Sequence, residues 1–156
     1  MIDKLVLVDT CLHSFDGHQY NYLRGVIETA QARGIQCFTL SNVSTADSIA
    51  SKIPVIPTFN FLGVELISDF SENATVNYNY NFTHFNLRFL IGLTNAAKRL
   101  PPLDGNTTVF FSTANFRHVL GILGWLDLYP ETARPRAVIL LRDRDHMTEQ
   151  IGRAHV

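Results

Sequence analysis

The sequence predicts an α/β fold of the doubly wound, Rossmann-like kind, a parallel sheet with helices on both faces. Three observations predict it. Short apolar runs alternate with longer stretches in which apolar residues recur three or four apart. The intervening stretches run to a dozen residues or more, which suits crossover helices between parallel strands. Turn formers punctuate the pattern at Gly34, Pro101-Pro102, Asp104-Gly105 and Pro130–Pro135.

Leu5–Asp9 is a continuous β-type run that ends on an acidic residue and then a loop. From Gly17 the period changes, and Tyr20, Leu23, Val26, Ile27 and Ala30 form one helix face. Gly34 stops that helix, because glycine enters the left-handed cap at little cost. Ile35–Leu40 is the second strand, and Ser44-Thr45-Ala46-Asp47 opens a short helix over Ala46–Lys52. Pro54 and Pro57 bracket Val55–Ile56, so a third strand there is short or lies at an edge. Residues 60–81, rich in Phe, Tyr and Asn, show no clean period and read as a long loop or an excursion. Phe82–Leu100 is the next helix, with Phe85, Phe89, Leu93 and Ala96 or Ala97 on one face. Thr107–Phe111 is a strand, Asn115–Leu128 a helix, and Ala137–Leu141 a last buried strand. The stripe Phe116, Val119, Leu120, Leu123 and Leu126 reads as core contact. With no internal repeat or low-complexity linker, residues 1–145 form one domain and 146–156 a tail.

Composition narrows the function. The chain has 156 residues, 46% hydrophobic and 17% charged, which describes globular material and not a disordered tail. Thirteen basic against fourteen acidic residues give a net charge of −1, so no basic excess exists to neutralise a nucleic-acid backbone. Cys11 and Cys37 have no metal-like spacing and read as two buried free thiols of a reducing compartment. The N-terminal apolar run is too short for a membrane span and no cleavage site follows it, so the expectation is a cytoplasmic protein without a transmembrane segment. Four Asn-x-Ser/Thr tripeptides, at Asn42, Asn73, Asn81 and Asn106, then read as chance. His13, His84 and His146 lack partners at ligand spacing, and no structural metal is expected.

In a doubly wound sheet, ligands bind outside the carboxyl ends of the strands. The first such loop is Thr10–His18, which runs straight into a helix whose free N–H groups suit an anion. Gly17 lets the backbone approach a ligand, with Asp16 and His18 beside it; Asp16 is equally suited to an N-cap. The loop carries neither a G-x-G-x-x-G fingerprint nor a Walker A ending. The second loop, Ser112-Thr113-Ala114-Asn115, offers hydroxyls and an amide that suit sugar hydroxyls, or that cap the following helix. A lone helical His118 more often belongs to a surface or core than to catalysis. Arg142, Asp143, Arg144 and Asp145 follow the last strand as paired charges of the kind that are usually solvated.

Leu5–Asp9, then Phe15-Asp16-Gly17-His18, then a helix closing on Ala32-Arg33-Gly34 before a strand resemble the start of a GT-B glycosyltransferase of the family 4-like (group 1) type. Phe110-Phe111-Ser112-Thr113-Ala114-Asn115 and Ala137–Arg142 resemble later strand ends of the same N-terminal domain. Residues 60–81 match nothing in that pattern. Many relatives have Gly-Gly where this chain has Asp16-Gly17, and many carry a histidine near the position of Thr113. The resemblance implies sugar transfer from a nucleotide-sugar, as substrate and with no cofactor, in a cleft between two Rossmann-like halves. It places Asp16, Gly17, His18, Thr113 and Asn115 at the donor phosphates or the acceptor. The nucleotide-sugar and acceptor would meet through a C-terminal domain that this sequence does not contain, so the fragment alone would be inactive.

Ile151-Gly152-Arg153-Ala154-His155-Val156 match one reading frame of a widely used sequencing-library adapter. The expectation is a truncated gene with 151–156 appended and non-native. The alternative is a small stand-alone flavodoxin-like domain that binds a ligand or partner without sugar chemistry. A receiver-like domain would need an acidic cluster beyond Asp9, and a flavodoxin-like one a fuller phosphate loop than Thr10 and Ser14 supply.

Overall fold

The computed structural model describes residues 2–13, 15, 18–61, 74–114 and 118–140, with backbone only at 18 and 74–81. Their order is β1 (Lys4–Asp9), α1 (His18–Gln31), β2 (Gln36–Asn42), α2 (Asp47–Ala50), β3 (Val55–Phe59), α3 (Ala74–Ala97), β4 (Thr107–Phe111), α4 (Val119–Leu126) and β5 (Arg136–Ile139). The five strands form one sheet in the order β3-β2-β1-β4-β5, and every pairing is parallel. The fold is therefore α/β with a Rossmann-like parallel sheet flanked by helices, as the alternation of runs predicts.

Side-chain alternation along the strands divides the core in two. Leu7 and Cys37 point to one face, where they meet Tyr20, Leu23, Ile27 and Ala30 of α1 and Ile49 of α2. Val6, Val8, Leu40, Val109 and Phe111 point to the other, against Phe85, Phe89, Leu93 and Ala96 of α3 and Ile122 and Trp125 of α4. The chain moves outward from β1 to β3, and α3 then carries it back to place β4 beside β1. The gap between the loops after β1 and β4 is consequently the topological switch point.

Gly34 adopts φ +73°, the left-handed conformation expected of a helix-stopping glycine. β3 does not stop at Pro57 but runs through it to Phe59, because at a sheet edge the missing N–H costs no ladder bond. The third helix starts at Ala74 and not at Phe82, and ends at Ala97. Its first turns, Ala-Thr-Val-Asn-Tyr-Asn-Tyr-Asn, are weak helix formers with no apolar period, so helix there was invisible to local pattern. Residues 62–73 of the uninterpretable 60–81 segment lie outside the described residues. The last strand begins at Arg136, one residue early, and Leu141 lies outside the described residues, as do 142–156 with the whole predicted tail.

The α4 stripe is the clearest correction. Leu120 and Leu123, expected in the core, are exposed, whereas Ile122 and Trp125 are buried. Val119 and Leu126 are half-buried, and Phe116 lies outside the described residues. The helix Val-Leu-Gly-Ile-Leu-Gly-Trp-Leu is apolar nearly all round, so spacing alone selects no face. Contact with α3 selects it, at Gly121 and Gly124. A Cβ on Gly121 would lie 3.0 Å from the Asn86 carbonyl oxygen, and the Gly121 N–H donates to Asn86 Oδ1 at 2.6 Å. Gly124 faces Leu90 across the same seam.

Candidate functional site at the switch point

β1 ends on Asp9, and the carboxylate is 1% exposed. A carboxyl group so buried needs hydrogen-bond partners, and neighbouring loops supply them. Cys11 N–H donates to Oδ1 at 2.9 Å, Thr113 Oγ1 to the same oxygen at 3.3 Å, and Ser112 Oγ to Oδ2 at 2.9 Å. The Ser112 N–H also donates to the Val8 carbonyl at 3.2 Å, extending the β1–β4 ladder past the strand end. Asp9 therefore ties the loops after β1 and β4 together across the switch point. Both oxygens are thus engaged in holding backbone and hydroxyls in place.

Asn42, at the end of β2, performs the equivalent task on the other side. Its Nδ2 donates to the Thr10 carbonyl at 3.2 Å and to the Phe61 carbonyl at 3.1 Å. Its Oδ1 accepts the Ser44 N–H at 2.9 Å and the Ser44 hydroxyl at 2.7 Å. This amide is buried and fully used, which makes it no site for a glycan. Thr45 Oγ1 lies 2.6 Å from the Leu12 carbonyl, and Ala46 N–H donates to the His13 carbonyl at 3.0 Å. The loop after β1 is thus clamped to the loops after β2 and β4. Farther out, Phe15 stands edge-on to Tyr20 at 4.7 Å, with the Lys52 ammonium 4.8 Å from its ring centre.

A crevice of about 150 Å³ opens among Val8, Thr10, Phe111, Thr113, Ala114 and His118, with Phe89 behind it. His118 precedes α4 and is 1% exposed. Its ring stands edge-on between Phe85, at 4.8 Å, and Phe89, at 4.9 Å. It belongs to the aromatic core beneath the crevice, in keeping with the bland reading of a lone helical histidine.

Of the five residues predicted for the site, Asp16, Gly17 and Asn115 lie outside the described residues. His18 opens α1 at the carboxyl end of β1, and the first-turn N–H groups of a helix have no partner within it. Thr113 lies at the crevice, and its hydroxyl turns to Asp9; His118, at the N-cap of α4, makes no side-chain cap bond. The paired charges 142–145 and His146 also lie outside the described residues. Reasoning from sequence missed Asp9, Asn42 and Ser112 as the groups that build the switch point. The available signal was an acidic residue ending an apolar strand, and a polar residue at the end of each neighbouring strand.

Among the described residues no three His, Cys, Asp or Glu side chains come together as a metal site, and no helix is long and apolar enough to cross a membrane. Both cysteines are free; Cys37 is buried and Cys11, expected buried, is only half-buried beside the loop after β1. Burial pushes the Cys37 thiol pKa up. Comparison with protein-family models, with curated proteins and with solved structures finds no match to this chain.

Proposed function

We propose that this domain is the N-terminal, acceptor-side half of a GT-B glycosyltransferase, which acts only together with a second, nucleotide-sugar-binding domain. The observation that carries the reading is the size of the switch-point crevice. It lies where an α/β sheet binds ligands, is lined by Thr10 and Thr113, and among the described residues measures only about 150 Å³. A small-molecule pocket measures about 300–1,000 Å³, so a working site here needs a second wall. In a GT-B enzyme the other half supplies that wall by closing over the first. The family-like order of motifs around Asp9, Gly17 and Ser112 gives the reading its chemistry.

In this reading the N–H groups at the start of α1 serve the donor phosphates, with Asp16, Gly17 and His18 around them. Thr113 and Asn115 lie toward the acceptor. Asp9 and Asn42 hold the three loops in place and touch no substrate. The nucleotide-sugar is a substrate, and no cofactor is required.

The test is to read the gene beyond codon 156, express whatever frame continues, and assay consumption of nucleotide-sugars. A two-domain product that consumes one of them, with the 156-residue chain alone inert, supports the reading. A frame that closes after Val156, or a two-domain product inert toward all of them, overturns it.

A further inference from the structure

We draw no further inference here: the strongest candidate, the groove along α1 lined by Leu5, Tyr22, Val26, Arg33 and Ile35, is an open, largely apolar face, and nothing in the structure shows what covers it.

Discussion

The Asp9 carboxylate at the end of β1 accepts the hydroxyl of Ser112, 103 residues away, at 2.9 Å. The pair spans the two loops between which the sheet changes direction, and Cys11 and Thr113 donate to the same carboxylate. Removing the acceptor leaves buried donors unsatisfied. Asp9→Ala is expected to lower unfolding free energy by about 2–3 kcal/mol, from charge-assisted bonds worth more than neutral ones and donors left buried. Asp9→Asn retains one oxygen and should cost about half of that. Urea denaturation measures both, and a loss for Asp9→Ala below about 0.5 kcal/mol, the range of ordinary surface changes, would remove the clasp from the account.

Asn42 predicts a different readout. Asn42→Ala deletes four hydrogen bonds, two that join the ends of β1, β2 and β3 and two that hold Ser44 in the loop after β2. A net stability loss of about 2–3 kcal/mol is expected, since the Ser44 N–H and the Thr10 and Phe61 carbonyls lose a partner. Amide exchange should quicken at Ser44, and remain slow in the centre of β1. Equal acceleration in both places would mean that Asn42 supports the whole sheet and not the loops.

The α3–α4 seam makes a prediction by contrast. Gly121→Ala brings a Cβ within 3.0 Å of a backbone oxygen and 3.1 Å of the Phe89 ring, and neither can yield without moving α3. Overpacking of this kind costs about 1–3 kcal/mol. Gly124→Ala meets only Leu90 Cδ2 at 3.8 Å, an ordinary contact, and should be neutral or stabilising by up to about 1 kcal/mol through helix propensity. Thermal unfolding of the two variants should move in opposite directions, or at least separate clearly; identical shifts would contradict the packing.

The two thiols should react unequally. Cys37 is buried and its pKa is raised by burial, whereas Cys11 is half-buried at the loop after β1. Mild alkylation of the native chain at neutral pH should label Cys11 first and Cys37 only on unfolding. Burial also raises the Tyr129 pKa. Raised folded-state values mean that this stabilisation is complete below the unfolded pKa of each group. It is lost as pH rises through the folded value. Stability should therefore fall on the alkaline side, first through Cys37 and then Tyr129, and Cys37→Ser should flatten the first part of that decline. Labelling of Cys37 at the rate of Cys11 would contradict its burial.

What the sequence determined by itself is what neighbours along the chain decide. The alternation of strand and helix, the buried face of α1, the stop at Gly34 and the limits of β4 at Thr107 and Phe111 all follow from local period and turn chemistry. Tertiary structure decided the rest. The order β3-β2-β1-β4-β5 brings Asp9 to Ser112, and no local pattern carries information about a partner 103 residues away. Packing against α3 chose which side of an all-apolar α4 is buried, leaving Leu120 and Leu123 outside. The same holds for the first turns of α3, where weak propensity over Asn and Tyr hid a helix. The physical reason is common to these cases. Where local preferences are strong they act alone, and where several conformations or faces are nearly equal in energy, long-range burial and hydrogen bonding select among them.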